Sequence, residues 1–278
     1  MARPLRLELS GALYLVTSHA VAGERLFLNV TDRRAWLDAL AHVCARFKWV
    51  CHGYCQLNDH FELLIETSGA NLSMGMRQLG AVYTQNFNRR HGREGAVVQG
   101  RFKAILVDKE THLLAVARHV VQSPSRLKPA RGIDTWPWSS YPATCGQTEA
   151  PAWLHSQSIL AALAPQRARA IAKYLSYMAD TKGAEDVLSE VRGAIFLGSD
   201  GFVQKMQVEL AKKAKQPTVA VSPRGLRAEL KGFATAHPRD DAMTRAFSTG
   251  RHTMTAIAAY FDVTLGTVSR VVRKNETG

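Results

Sequence analysis

Residues 49–66 read Trp49-Val-Cys-His-Gly-Tyr-Cys-Gln-Leu57-Asn58-Asp59-His60-Phe-Glu-Leu-Leu-Ile-Glu66. Two runs rich in aliphatic and aromatic residues flank Asn58-Asp59, a tight-turn dipeptide, so the stretch reads as a β-hairpin. Helical periodicity lies on both sides of it. Upstream, Thr31 or Asp32 can cap a helix to about Phe47, with Trp36, Leu37, Leu40, Val43, Cys44 and Phe47 on one face. Downstream, a helix from about Leu72 to Arg90 aligns Leu72, Met76, Leu79, Val82, Tyr83 and Phe87. Further out, residues 12–18 read as a strand introduced by Gly11, Gly95–Gly100 as a loop, and Arg101–Val107 as a strand. Glu110–Gln122 reads as a helix stopped by Pro124. The order β-α-β-β-α-β-α predicts an α+β fold, a ferredoxin-like split-βαβ antiparallel sheet with helices on one face, over residues 1–147.

The rest reads as an all-helical C-terminal region. Helices are predicted at roughly 153–164, 165–179, 184–195, 199–214, 223–236 and 239–248. Residues 148–214 then form a helical connector and residues 215–278 a helical domain, with Lys215–Ser222 as a linker broken by Pro217. The segment Thr135-Trp-Pro-Trp-Ser-Ser-Tyr141 is aromatic and broken by proline, and is expected to pack on the first domain. The four cysteines, Cys44, Cys51, Cys55 and Cys145, are too few for a disulfide framework in 278 residues and read as buried free thiols in a reducing cytoplasm. No apolar run reaches the roughly 18 residues of a membrane span, and no secretory leader is read at the start.

Thirty-six Lys and Arg against 23 Asp and Glu give a net charge of +13. The excess falls in two places: residues 1–147 hold 18 basic and 11 acidic side chains, residues 148–199 hold five of each, and residues 200–278 hold 13 and 7. Two basic regions about a neutral middle suit two polyanion-binding surfaces. In the first, Arg89, Arg90, Arg93, Arg101 and Lys103 stand against Glu94 alone, with His91 and Phe102 interleaved. Guanidinium groups pair with phosphates and aromatic rings stack unpaired bases. Arg3 and Arg6 form a short basic arm. In the second region, the run from Thr255 to Phe261, a break at Asp262-Val263-Thr264 and the run from Leu265 to Lys274 have the pattern of a helix-turn-helix over about 253–274. Val268, Val271 and Val272 would face inward, and Thr267, Ser269, Arg270, Arg273 and Lys274 would be offered to duplex DNA.

Six segments in order carry a family resemblance: Ala2-Arg-Pro-Leu-Arg6, Gly11-Ala-Leu-Tyr-Leu-Val-Thr17, Asn71 to Leu79, Tyr83 to Gly92, Gln99 to Val107, and Trp136-Pro-Trp-Ser-Ser-Tyr141. Over residues 1–145 the chain resembles the REP-associated tyrosine transposases, relatives of the single-tyrosine insertion-sequence transposases in the HUH endonuclease superfamily. A weaker echo continues in Phe196-Leu-Gly-Ser-Asp-Gly-Phe-Val203. The resemblance implies a ferredoxin-like nuclease domain that binds a DNA hairpin. A His-hydrophobic-His strand pair would hold a divalent metal, a tyrosine on the following helix would attack a phosphate, and a polar residue one turn later would assist the metal.

The sequence departs from that pattern at each of these positions. The strand motif reads His60-Phe61-Glu62, His119 stands at the tyrosine position, and Ser123 stands where an asparagine is usual. His60 and Glu62, with His119 as a third candidate, are the candidate ligands for Mg2+ or Mn2+ if activity is retained. Arg118 and Arg126 flank the nucleophile position as DNA contacts. Tyr54, Tyr83, Tyr174 and Tyr177 all lie off the helix after the fourth strand. The expectation is a cytoplasmic, bacterial-type DNA-binding protein that recognises hairpin or structured single-stranded DNA and duplex DNA without cutting it, and that engages no membrane. The alternative is an active metal-dependent single-strand endonuclease or transposase.

Overall fold

The computed structural model describes residues 8–180, 186–215, 223–249 and 252–276, so Arg3, Arg6 and most of the Lys215–Ser222 linker lie outside it. The chain divides into two units, residues 1–208 and 209–278. The first is a mixed α+β unit.

Its elements run β1 (Ala12–His19), α1 (Val30–Phe47), β2 (Trp49–Gln56), β3 (His60–Thr67), α2 (Leu72–His91), β4 (Lys103–Val107), α3 (Lys109–Val121), α4 (Tyr141–Thr144), α5 (Gln157–Leu163), α6 (Arg167–Ala179) and β5 (Phe196–Leu197). A further helix, α7 (Asp200–Lys215), spans the division between the units. The strand order is β2-β3-β1-β4-β5. The first four strands pair antiparallel and β5 joins β4 in parallel, through Leu106 opposite Phe196 and Val107 opposite Leu197.

Helix α1 begins two to three residues before the predicted cap. Asn29 is the N-cap and Asp32 the N3 residue of a reciprocal capping box: the Asp32 N–H donates to Asn29 Oδ1 at 3.0 Å, and the Asn29 N–H to Asp32 Oδ2 at 3.3 Å. Asp32 is fully buried, and burial alone would raise its pKa. His91 and Arg90, which reach it at 2.9 and 2.6 Å, and the Leu28 N–H hold it below the ordinary carboxylate value instead. The α2 stripe buries Leu72, Met76, Leu79, Tyr83 and Phe87 as expected, whereas Val82 is exposed.

Helices lie on both faces of the sheet, not on one. Strand residues alternate, so Phe61 and Glu62 point to opposite sides. Phe61 meets Trp36 of α1 with ring centroids 4.6 Å apart. On the other side, Leu13, Leu15, Leu64 and Val107 share a core with Leu113, Val116, Ala117 and Val120 of α3.

That second core also corrects the reading of residues 148–214. Ile159, Leu160, Ala170, Tyr174, Met178, Val187 and Leu197 pack in the same cluster as α3 and the sheet. These residues of the segment, between 159 and 197, therefore belong to the core of the first unit, and the division between units falls later, at 208/209 within α7. The predicted helix at 184–195 is absent among the described residues of that span: a 3-10 turn at Val187–Glu190 leads into β5. Asp108 ties the new strand down, accepting from the Ser199 hydroxyl at 3.0 Å, while its own N–H donates to Leu197 O at 2.8 Å.

The exposed edge at β2 is covered as the aromatic segment suggested. Gln56 N donates to Trp138 O at 2.8 Å, Ser140 N to Tyr54 O at 2.9 Å, and His155 N to Cys51 O at 2.8 Å. Pairing an edge in this way removes a template for intermolecular strand addition. All four cysteines are buried free thiols.

The second unit contains α8 (Pro223–Ala236), α9 (Arg239–Ser248), α10 (Met254–Phe261) and α11 (Leu265–Glu276). Its core is Leu230, Met243, Ala246, Phe247, Ile257, Ala258, Val268 and Val272. Thr253 caps α10, accepting from Ala256 N at 3.1 Å, and Asp262 turns the chain in the left-handed region at φ 51°. Among the described residues, no helix is long and apolar enough to cross a membrane.

Candidate functional site

Glu62 stands on the α3-facing side of β3, opposite Thr17 of β1 and Cys55 of β2. Only 8% of its side chain is exposed. Three groups from α3 and the 3-10 turn after it enclose the carboxylate. The Ser123 hydroxyl donates to Oε2 at 2.5 Å. A guanidinium nitrogen of Arg126 lies 3.4 Å from each carboxylate oxygen, donates to Ser123 Oγ at 2.6 Å, and lies 3.3 Å from His119 Nε2. The other terminal nitrogen of Arg126 donates to the His119 carbonyl at 2.9 Å. His119 Nε2 itself is 3.7 Å from Glu62 Oε1, beyond a hydrogen bond but close enough to interact electrostatically.

Burial alone would raise the Glu62 pKa. The facing His119, the Arg126 charge and the Ser123 hydroxyl outweigh it and hold the carboxyl below the ordinary glutamate value. The group is therefore an ionised carboxylate with its charge matched and its oxygens engaged.

The other expected metal ligand is placed elsewhere. His60 shares a strand face with Glu62, yet its Nδ1 is 2.7 Å from Asp59 Oδ1, and its ring stacks on His19 at a centroid separation of 4.8 Å. His60, Glu62 and His119 are thus not brought together as one ligand set. A guanidinium close to both oxygens of Glu62 supplies the positive charge that a divalent ion would otherwise provide, so this carboxylate does not fit Mg2+ or Mn2+ in its present partnership.

The basic residues divide by partner. Arg90 is committed to Asp32 at 2.6 Å, and Arg93 to Glu24 at 2.7 Å while lying over the Phe87 ring. Arg118 is a correction: it is buried, its guanidinium 4.3 Å from the centroid of Tyr177, so it packs inside and is not offered to a ligand. Arg89, Arg101 and Lys103 are exposed. Arg89 donates to Asn86 at 3.1 Å, and among the described residues Arg89, Arg101 and Lys103 form no ion pair. In the second unit Arg270 and Lys274 are exposed and Ser269 is half-buried. Thr267 contributes to the start of α11, its N–H donating to Thr264 Oγ1 at 3.2 Å. The side chain of Arg273 lies outside the described residues.

Two features escaped the sequence reading. One is a cleft of about 470 Å³ lined by Arg33, Asn58, Lys128, Arg131, Trp136 and Trp138. Its floor is the Arg33 guanidinium, 5.4 Å from the ring centroids of Trp136 and of Trp138 and hydrogen-bonded to Gln56 O and Asn58 Oδ1. The alternation of Trp136 and Trp138 about Pro137 was the available signal. The other is the grouping of His19 and Asp59 with His60, which depends on a cross-strand register that spacing alone does not reveal.

No protein-family model and no curated protein matches the chain. Among solved structures, the chain is similar to a REP-associated tyrosine transposase bound to a REP hairpin, with TM-score 0.47 and 13% identity over 56% of this chain and 92% of that one.

Proposed function

We propose that the protein is a DNA-binding relative of the REP-associated tyrosine transposases whose nuclease centre no longer cuts. The β1–β4 platform is read as the ferredoxin-like split-βαβ domain, receiving hairpin or structured single-stranded DNA. Helices α10 and α11 are read as a helix-turn-helix for duplex DNA, with Thr267, Ser269, Arg270 and Lys274 toward the groove. A cytoplasmic setting agrees with four buried free thiols.

One observation carries the reading. The carboxylate at the second position of the metal motif is enclosed by the residues at the other departures, His119 and Ser123, together with Arg126. A serine and an arginine satisfy the carboxylate where the resemblance implies a metal, and a histidine replaces the attacking hydroxyl. Substitutions that fit one another describe a centre rebuilt as an internal contact. The exposed Arg89, Arg101 and Lys103 supply phosphate contacts, and the Trp136–Trp138 cleft supplies a stacking surface for an unpaired base. Two modest sites on one chain raise the affinity for a target that offers both structures.

Fluorescence anisotropy with labelled oligonucleotides tests the proposal. Hairpins formed by imperfect palindromes should bind tightly without Mg2+ or Mn2+, more tightly than unstructured strands, with affinity falling steeply as salt rises. Equal and weak binding of hairpin and unstructured strand would overturn the DNA reading. A covalent protein–DNA adduct formed in Mn2+ would overturn the non-cutting reading and favour the endonuclease alternative.

A further inference from the structure

We propose that His19, Asp59 and His60 form a binding site for a divalent transition-metal ion of the zinc class, separate from Glu62. The two histidines come from adjacent strands. The β1–β3 register sets His19 directly opposite His60, and their rings stack with an interplanar angle of 25°. Asp59 belongs to the turn that delivers His60. One ring nitrogen from each histidine and one carboxylate oxygen from Asp59 lie within 4.8 Å of one another, a grouping of three such donors found once among the described residues.

The backbone beneath these donors is held in place. Ala20 N donates to Asp59 O at 2.6 Å, Leu57 N to His60 O at 2.8 Å, and Leu26 N to Asn58 O at 2.8 Å. The turn is thus anchored both to the end of β1 and to the segment after it. Only side-chain torsions remain to be adjusted, and a site built on a fixed backbone binds with less ordering cost. A tetrahedral ion with bonds of about 2.0–2.1 Å sets its donors roughly 3.4 Å apart, so rotation of exposed side chains by an ångström or so closes the set.

The donor chemistry selects the ion. Two imidazoles and one carboxylate suit zinc and its borderline neighbours, whereas Mg2+ prefers an all-oxygen octahedron and keeps its water. Three protein donors leave a position for water or an anion. The neighbouring Lys103, opposite Thr17 in the sheet, favours an anion there. Glu62 stays outside this site because Ser123 and Arg126 already hold it.

The proposal needs no DNA and does not rest on the DNA reading. The full chain, stripped with chelator, is titrated with Zn2+ by calorimetry, and with Co2+ while its visible absorption is followed. One equivalent should bind in the micromolar range or tighter, and millimolar Mg2+ should not compete. His19→Ala, Asp59→Asn and His60→Ala should each weaken the site by about tenfold or more, while Glu62→Gln leaves it within about twofold. Circular dichroism of the exposed His19→Ala variant verifies folding. Absence of a stoichiometric site, full affinity in His19→Ala, or an equal loss in Glu62→Gln would each overturn the assignment. The last result would instead place the ion on the His60–Glu62 strand pair.

Discussion

Ser123 donates its hydroxyl to Glu62 across 2.5 Å, from a position 61 residues further along the chain. The contact joins the turn after α3 to the middle of the sheet, inside a region where an unmatched carboxylate would be costly. Because Glu62 titrates below its ordinary value in the folded protein, the unfolded chain binds its proton more tightly. The stabilisation is complete above the ordinary glutamate pKa and is lost as pH falls through the lower, folded value. Urea unfolding followed between neutral pH and pH 3 should show this loss, and Glu62→Gln should remove its share of the slope. An unchanged slope in that variant would refute the assignment. Ser123→Ala, at constant neutral pH, should cost about 1–3 kcal/mol by leaving a carboxylate oxygen without its donor.

If the centre is a rebuilt nuclease site, as proposed, it should be reversible by sequence. Restoring Glu62→His, His119→Tyr and Ser123→Asn together, with Arg126→Ala to clear the guanidinium, returns a ligand pair and an attacking hydroxyl to the same scaffold. Incubated with hairpin DNA and Mn2+, the quadruple variant should form a protein–DNA adduct that survives denaturing electrophoresis, while the parent chain forms none. Failure of a folded variant to give any adduct would mean that more of the machinery has changed than these positions.

The same cluster shows what sequence can and cannot reveal. The hairpin around Asn58-Asp59 and the two flanking helices were legible because alternation and helical spacing are local signals, and the β2–β3 pair formed with its turn where it was read. The two-residue β5 was not legible, since Phe196-Leu197 gains its strand geometry only by lying beside Leu106 and Val107. The position of α3 was missed for a related reason: both faces of β1 are apolar, Leu13 and Leu15 on one side and Tyr14 and Val16 on the other, and that pattern signals a sheet covered twice. At the site, residue types at 62, 119 and 123 could be read, but Arg126 as their fourth member could not. It was expected to contact DNA, and its partners became evident only when α3 was seen to end beside β3.

Gly75 predicts a tight helix–sheet contact. It lies in α2 where an added Cβ would run into the six-membered ring of Trp49, which is buried and donates through Nε1 to Asn71 Oδ1 at 2.8 Å. Helix propensity alone would favour alanine here. The clash should dominate, and Gly75→Ala should lose about 1–3 kcal/mol in denaturant unfolding. Adding Trp49→Phe to Gly75→Ala should return part of that loss, because the smaller ring leaves room for the methyl group. If Gly75→Ala stabilises the chain, the close approach of α2 to β2 is not as described.

Arginines read alike in the sequence should separate into two classes in the test tube. Arg90 neutralises the buried Asp32, and Arg118 lies over Tyr177, whereas Arg89, Arg101 and Lys103 face solvent. Removing the partner of a buried group disturbs folding: Arg90→Met should cost about 1–3 kcal/mol, since the buried Asp32 would keep only His91 and its backbone donors. Arg118→Met should cost about 0.5–2 kcal/mol through loss of the cation–π contact. On the proposed function, replacing an exposed cation should disturb only the encounter with DNA. Arg89→Ala, Arg101→Ala or Lys103→Ala should leave the unfolding midpoint in place, weaken hairpin binding across sequences, and reduce the slope of log affinity against log salt by about 0.7–0.9 each. Unfolding curves and anisotropy titrations at several salt concentrations, run on the same five proteins, read both quantities. The division into structural and DNA-facing cations fails if Arg90→Met alters the salt slope without altering stability, or if the three exposed residues can be replaced with no change in slope.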